Sequence, residues 1–278
     1  MATRQIDGRR VDLGASYFTA TDQRFAEVVQ GWTARGLART WTDAFHVATP
    51  DGLGERKVGP VRYGAGAGLR SLVEDLLDGL PVTQQTDVRS VGPGATADGQ
   101  AYAAVVLAMP DPQALRLLDP ALTAERAAVA DRPWEPVLAL AAGWEQRRWD
   151  EGFDGCFVHG SDVLGWVADD GRRRGDGAPV LVAHSTSAYA APRLADPDVA
   201  GPALLAATRE VLGIDAEPTW WRVQRWSIAR PAGPREEPFH LGDAGIGLCG
   251  DGWGAPKVET AWLSGTLLGQ ALAAQVGV

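Results

Sequence analysis

The stretch LCGDGWGAPKVETAWLSGTLLG, residues 248–269, decides the predicted fold of this chain. Its apolar start predicts a short buried strand that ends in a Gly250-Asp251 turn, and the segment from Val258 onward predicts a helix. This order brings an acceptor carboxylate close to the N–H groups of a helix N-terminus, which favour an electron-rich group. The stretch therefore predicts a site for a polyhydroxy chain on Asp251 and for a ring edge at the helix. The alternative is a plain connection in which Asp251 is only a turn residue.

The segments around this stretch predict an α/β fold. The continuous apolar run 103–109 predicts a strand covered on both faces, and Pro110 opens a predicted helix. The run TQQTDVRSV, residues 83–91, predicts a further strand. Nearer the N-terminus, the same signals predict a helix capped by Asp22, a strand over 39–47 and a helix over 69–77.

Between about residues 133 and 231 the pattern changes and predicts a second domain built on its own sheet. Short apolar runs predict strands at 136–144, 156–160, 163–169, 180–185 and 219–226, and a helix at 202–212. In TWWRVQRW, residues 219–226, side chains alternate between the two faces of the strand. Trp220, Arg222 and Trp226 are therefore predicted to share one face, with Trp221 on the other.

Composition and charge exclude several classes of function. The chain has 278 residues and a net charge of −9, which argues against a nucleic-acid surface because phosphate binding needs clustered cations. The short basic run Arg172-Arg173-Arg174 is interpreted as a solvated loop. No apolar run is long enough to span a membrane, and Cys156 and Cys249 lie too far apart for a local redox pair. These features favour a soluble protein of the reducing cytoplasm.

Metal chemistry and hydrolytic chemistry are not predicted. The four histidines are scattered and form no ligand motif with a cysteine or with each other, so no metal site is expected. Ser185 and Ser264 lack a nucleophile elbow. His184 ends the apolar strand PVLVAHS, where it either reaches a pocket or is a hydrogen-bonded core histidine. No catalytic residue is identified.

Several segments together resemble the renalase-like branch of the flavin-containing amine oxidoreductases. They follow the family's order and rough spacing over nearly the whole chain: MATR at 1–4, VDLGASYFTATD at 11–22, AVVLAMPDPQALRLL at 104–118, WWRVQRWSIARP at 220–231 and LCGDGWGAPKVETAWLSG at 248–265. The resemblance implies a discontinuous Rossmann-like FAD/NAD(P)-binding domain and an intervening sheet-based substrate domain. The first is expected at 1–24, 66–130 and 236–278, and the second at 25–65 and 131–235.

The resemblance also implies which residues contact FAD. Gly14 and Ala15 would bring backbone close to the flavin, and Val88 would pair its backbone with the adenine. Gly250 and Asp251 would bind the ribityl chain. The adenosine would be lined by Ala108, Met109 and Pro110, and the pyrimidine side of the ring would meet N–H groups of Val258, Glu259, Thr260 and Ala261.

One element of that family is not found in this sequence. Members begin with a strand, a G-x-G-x-x-G loop and a helix, and the loop cradles the pyrophosphate. The only similar run, GAGAG at 64–68, lacks the sixth-position glycine and precedes a helix of the wrong unit, so we reject it. The first βαβ unit is therefore expected to be absent, through a misplaced start codon or a genuine truncation. The first is favoured because the retained positions fit flavin, and the chain as given is expected to hold FAD poorly.

The resemblance implies hydride transfer from a small reduced donor to flavin, followed by reoxidation by oxygen. The donor would be an isomeric dihydronicotinamide or an amine, and a hydride step from a dihydropyridine needs no acid or base. Its pocket is predicted to be lined by Trp220, Arg222, Trp226 and His184. The alternative is a truncated, non-catalytic remnant that acts as a binding or interaction protein. GRRRGDGAP, residues 171–179, departs from the Ser-Lys-Pro-Gly-Arg-like stretch of family members.

Overall fold

The computed structural model describes residues 1–276 and contains most of the expected strands. Eight of the predicted strands are present with shifts of a few residues at their ends, whereas residues 83–90 form no strand. The strands are β1 (Thr3–Ile6), β2 (Arg9–Asp12), β3 (Arg39–Thr49), β4 (Gly52–Gly64), β5 (Val91–Gly92), β6 (Thr96–Ala97), β7 (Gln100–Ala101), β8 (Val105–Ala108), β9 (Trp134–Gly143), β10 (Gly155–Val158), β11 (Leu164–Asp169), β12 (Val180–Ser185), β13 (Trp220–Pro231), β14 (His240–Leu241) and β15 (Ile246–Cys249).

The first helix begins where its capping residue was expected. Asp22 caps this helix, because its side chain accepts a hydrogen bond from the Arg24 N–H. Two short 3₁₀ turns occupy Ala191–Arg193 and Pro197–Ala200. The helices are α1 (Gln23–Ala34), α2 (Arg70–Leu76), α3 (Asp111–Leu117), α4 (Thr123–Val129), α5 (Asp170–Arg174), α6 (Ser187–Ala190), α7 (Gly201–Leu212) and α8 (Val258–Val276).

The chain forms two compact units, Met1–Gly79 with Pro136–Ala229 and Leu80–Glu135 with Arg230–Val278. We call them the sheet unit and the strand–helix unit. Both are discontinuous, and residues 1–24 and 66–79 belong to the sheet unit rather than to the unit that contains Asp251. Which unit binds cofactor and which binds substrate stays a prediction.

The sheet unit is organised by a seven-stranded mixed sheet in the order β13-β9-β12-β11-β10-β3-β4. Its strands bury apolar residues on both faces. One face packs under α7 with Leu140 and Leu181, and the other packs Ala141 and Val182 against Val11 and Leu13, which flank the end of β2. Strands that are buried on both faces have continuous apolar sequences, and this is why the sequence predicts the strands of this sheet.

The strand–helix unit contains a three-stranded sheet in the order β14-β15-β8. β15 and β8 run parallel, with Ile246 opposite Val105 and Cys249 opposite Ala108. The prediction that β8 is covered on both faces is wrong for the described residues, since Leu107 is buried while Val106 and Ala108 are exposed. The apolar core of this unit lies between the sheet and α3 and α4.

The interpretation of Arg172-Arg173-Arg174 as a solvated loop is wrong. These residues form α5, whose N-cap Asp169 accepts from the Arg172 N–H. Arg173 is fully buried and forms an ion pair with the fully buried Asp170, and Arg174 is almost fully buried as well. Opposite charges that pair inside the fold have the same sequence pattern as a charged surface loop, so composition alone could not separate the two cases.

Two general expectations concern cysteines and membranes. Cys156 and Cys249 are both free and buried, and burial raises their thiol pKa values to about 12 and about 11, respectively. Such thiols are inert toward disulfide exchange at neutral pH. Among residues 1–276, no helix combines the length and the apolar character needed to cross a bilayer.

Candidate functional site

The Gly250-Asp251 turn of the strand–helix unit has the predicted local structure. β15 ends at Cys249, and Gly250 follows with φ +135°, a backbone conformation that residues other than glycine rarely adopt. The Gly250 N–H donates to the Ser264 Oγ at 3.0 Å, which ties the turn to the body of α8. The loop ends where α8 begins, at Val258. Strand, turn and helix therefore lie in the order that the sequence predicts.

Asp251 is held in an environment that disfavours its charge. Burial raises the pKa of the Asp251 carboxyl above its ordinary value of 3.8. The folded carboxyl therefore binds its proton more tightly than the unfolded one. The stability of the fold falls as pH rises from the unfolded pKa through the raised folded pKa, and at neutral pH the ionised carboxylate costs stability. A residue kept at a cost to stability is a candidate for a functional role.

We expect Asp251→Asn to stabilise the chain at neutral pH. The substitution removes the buried charge and keeps the shape of the side chain, so the thermal unfolding midpoint should rise at pH 7.5. The gain should shrink as pH falls below the raised pKa, where the wild-type carboxyl is already protonated. Thermal unfolding of both proteins across this pH range measures the effect. An unfolding midpoint that drops at pH 7.5 would show that Asp251 is a structural turn residue.

The first turn of α8 contains the predicted N–H donors. The Ala261 N–H donates to the Lys257 carbonyl at 3.2 Å, and its predicted contact with the flavin stays a prediction. The roles of Val258, Glu259 and Thr260 stay predictions, and Glu259 is buried.

A cluster that the sequence analysis missed braces the loop after Asp251. Asp111, buried at the start of α3, accepts hydrogen bonds from Arg235 Nη1 at 3.0 Å and from Trp134 Nε1 at 3.2 Å. The Arg235 guanidinium lies 4.1 Å from the ring centroid of Trp253, and Arg132 donates to the Gly252 carbonyl. The acidic residue next to Pro110 was a visible helix-start signal, but its distant cationic partners were not.

The remaining predicted cofactor residues of this unit lie at or beyond strand ends. Ala108 closes β8, and Met109 and Pro110 lead from it into α3. Val88 lies in irregular chain and is 37 % exposed, so the strand that was expected to place it is absent. Its contact with adenine stays a prediction.

In the sheet unit, the loop 13–17 lies on one face of the large sheet. Trp226 Nε1 donates to the Leu13 carbonyl at 2.8 Å, and Trp166 Nε1 donates to the Ser16 Oγ at 3.0 Å. Arg173 Nη1 donates to the Ser16 carbonyl at 2.9 Å from a fully buried position. These three donors fix the segment that contains the predicted flavin contacts Gly14 and Ala15. Their sequence signal was weak, because each donor lies at least 150 residues from its acceptor.

The predicted face assignment of β13 is confirmed. Trp220 and Trp226 pack on the cluster that contains Leu13, whereas Trp221 packs on the cluster of the opposite face. Trp220 and Arg222 line an open cleft of about 390 Å³ together with the β1 hairpin, but Trp226 does not line it. The predicted substrate pocket of Trp220, Arg222, Trp226 and His184 stays a prediction.

An aromatic cluster occupies the same sheet face farther along. Trp166 lies with its ring centroid 4.7 Å from Phe45 and 5.8 Å from Tyr17, and Trp41 lies 5.1 Å from Phe45. Burial raises the pKa of the Tyr17 phenol, while the nearby Arg62 opposes that shift. His184 on β12 is the register partner of Trp166 and therefore lies beside this aromatic cluster. Its role in lining a substrate pocket stays a prediction.

The rejection of GAGAG as a phosphate loop is supported by its packing. A Cβ on Gly68 would lie 2.6 Å from the Thr3 Oγ1, and one on Gly64 would lie 2.6 Å from the Arg173 carbonyl. The space next to both glycines is filled by protein. No cluster of three metal-ligating side chains occurs in the described part of the chain.

Solved structures with this fold include several oxidases. A single-substitution variant of putrescine oxidase matches with a TM-score of 0.70 and 13% identity, covering 99% of this chain and 90% of that chain. Cyclohexylamine oxidase from Brevibacterium oxydans IH-35A matches with a TM-score of 0.62 and 17% identity, covering 80% of this chain and 56% of that chain. A candidate protoporphyrinogen oxidase from Exiguobacterium sp. 255-15 matches with a TM-score of 0.57 and 18% identity, covering 77% and 52%.

These comparisons confirm the predicted α/β fold. The chain spans only about half the length of the cyclohexylamine oxidase and of the candidate protoporphyrinogen oxidase. No protein-family model matches the chain. At such low identity the likeness concerns the fold, and the activity has to be argued from the site.

Proposed function

We propose that this protein is an FAD-dependent oxidoreductase that takes a hydride from a small reduced donor and passes the electrons to oxygen. The observation that carries the proposal is the Gly250-Asp251 turn, which is tied to the body of α8 by the Gly250–Ser264 hydrogen bond and precedes the N-terminus of that helix. It follows β15, which runs parallel to β8, and ligands of open α/β sheets bind beyond the carboxyl ends of such strands. The fold is shared with solved amine oxidases.

The residues of the strand–helix unit fit part of an FAD molecule. A hydroxyl of the ribityl chain would donate to the Asp251 carboxylate and so relieve the desolvation that raises its pKa. The first turn of α8 would present backbone N–H groups to the pyrimidine edge, and Met109 and Pro110 would line the adenosine. When bound, FAD supplies the hydride acceptor, while the protein binds and orients both partners.

The donor is either an amine or an isomeric dihydronicotinamide. The names of the matched putrescine and cyclohexylamine oxidases favour an amine. The resemblance of the segments at 11–22 and 248–265 to renalase-like proteins favours a dihydronicotinamide.

We expect Asp251→Ala to weaken FAD binding by about 1 to 3 kcal/mol, the effect of losing a charged hydrogen-bond acceptor from a buried donor. Quenching of FAD fluorescence on titration with purified protein measures the dissociation constant. Asp243→Ala is the matched control, because Asp243 is an exposed acidic residue close in sequence, and it should leave the constant unchanged. Equal constants for Asp251→Ala and wild type would contradict the proposal, whereas a large wild-type constant would not, because the chain as given is expected to hold FAD poorly.

A further inference from the structure

Arg62 is the unusual charge of the sheet unit. It is only 8 % exposed, and its Nε and Nη1 atoms have no hydrogen-bond partner among residues 1–276. The buried Arg173 is paired with Asp170, whereas Arg62 is paired with no carboxylate in that part of the chain. A buried charge without an opposite charge costs several kcal/mol, so its presence indicates a use outside the folded chain itself.

The surroundings of Arg62 are aromatic and leave its charge only partly compensated. Its guanidinium lies 4.1 Å from the ring centroid of Phe45 and 5.9 Å from that of Tyr17. Cation–π contacts of this kind recover a part of the desolvation cost, but a ring face accepts no N–H hydrogen bond of full strength. The two orphaned donor atoms therefore retain their capacity for an oxygen acceptor.

A second side chain of the same aromatic cluster has a buried donor without an acceptor. Trp41 Nε1 is buried and has no hydrogen-bond partner among the described residues. Trp41 shares both aromatic neighbours of Arg62, since its ring centroid lies 5.1 Å from Phe45 and 6.2 Å from Tyr17. Donors without acceptors on two neighbouring side chains indicate a missing acceptor rather than a local packing defect.

The backbone brings these two side chains together through an irregularity in the sheet. Thr42 of β3 is the register partner of Arg62 on β4, and the register shifts between Thr40 and Thr42, leaving Trp41 without a partner across the strand pair. Irregularities of this kind re-aim side chains and are frequent beside functional sites. Here the irregularity lies where Trp41 of β3 and Arg62 of β4 both contact the rings of Tyr17 and Phe45.

We propose that Arg62 and Trp41 bind the carboxylate of a small ligand whose apolar part packs on the rings of Tyr17, Phe45 and Trp166. A carboxylate supplies both the negative charge that Arg62 lacks and acceptor oxygens for the Arg62 and Trp41 donors. The cluster reaches solvent at Phe157, which is 40 % exposed and packs against Phe45 and Trp166. The further inference that this carboxylate ligand is also the hydride donor rests on the proposed function.

Phenylacetate is the probe, because it joins an aromatic ring to a carboxylate, and phenylacetamide is its uncharged match. Calorimetric titration of the purified chain needs no FAD, so its result is independent of the proposed redox function. We expect phenylacetate to bind at least tenfold more tightly than phenylacetamide. We expect Arg62→Met to weaken phenylacetate binding at least tenfold, and Trp41→Phe, which keeps a ring and removes the donor, to weaken it about threefold. Lys57→Met is the control, since Lys57 is a cation on the same strand that is 62 % exposed, and it should bind as wild type.

Thermal unfolding separates a binding role for Arg62 from a structural one. Removal of an unpaired buried charge should leave the unfolding midpoint of Arg62→Met at or above the wild-type value. A lower midpoint, or failure of this variant to fold, would overturn the proposal, because it would show that the charge serves packing. Equal binding of phenylacetate by Arg62→Met and wild type would overturn it as well. If phenylacetate binds as expected but FAD does not, the carboxylate site stands and the redox assignment falls.

Discussion

Replacing Arg173 with alanine is expected to lower the free energy of unfolding of this protein by about 3 to 5 kcal/mol. Arg173 is fully buried, and its guanidinium forms an ion pair with the fully buried Asp170. The same guanidinium donates to the Ser16 carbonyl at 2.9 Å and to the Asp12 carbonyl at 3.2 Å. The substitution therefore removes the cation closest to the buried Asp170 carboxylate and leaves two carbonyls short of donors, while Arg9 stays 2.9 Å from Asp170.

Urea unfolding followed by tryptophan fluorescence measures this loss as a shift of the midpoint at constant slope. Arg70→Ala is the matched control, because Arg70 forms an exposed ion pair with Glu74 one helical turn away. Exposed pairs of this kind contribute about 0.5 kcal/mol or less, so the control should stay close to wild type. Shifts of similar size for the two variants would show that Asp170 is neutralised without Arg173.

The elements predicted correctly from the sequence are those determined by residues that are close in sequence. The strand before Gly250, the turn at Asp251 and the start of α8 at Val258 are all set by neighbours in sequence, and all three are confirmed. The alternation of Trp220 and Trp221 is likewise set by the period of the strand itself, which no partner can change without a bulge.

The failures involve partners that are distant in sequence. Arg173 was assigned to a surface loop because its ion pair with Asp170 and its contact with the Ser16 carbonyl become visible only once the sheet is folded. Arg62 attracted no interpretation at all, since a single arginine in a strand has no pattern. Its significance comes from the absence of an acceptor, which a sequence cannot display. The strand predicted over 83–91 is absent except at Val91, because local β-type residues do not fix a strand by themselves.

Replacing Trp166 with alanine is the second substitution from which we expect a large effect, a loss of about 3 to 5 kcal/mol in the free energy of unfolding. Trp166 is almost fully buried, packs its ring against Phe45 and Phe157 at 4.7 Å between centroids, and donates to the Ser16 Oγ at 3.0 Å. Truncation leaves a cavity in the aromatic face and releases the loop 13–17 from one of its donors.

Trp166→Phe helps to separate the two contributions, because it keeps one aromatic ring in the cluster while it removes the N–H donor to Ser16 and part of the indole. Its loss should be about 1 to 2 kcal/mol, and Phe157→Ala, in the same cluster but 40 % exposed, should lose clearly less than Trp166→Ala. The same urea experiment ranks the three variants. If Trp166→Phe were as unstable as Trp166→Ala, the hydrogen bond to Ser16 rather than ring packing would hold this face together. The loop 13–17 would then be the element on which the aromatic cluster depends.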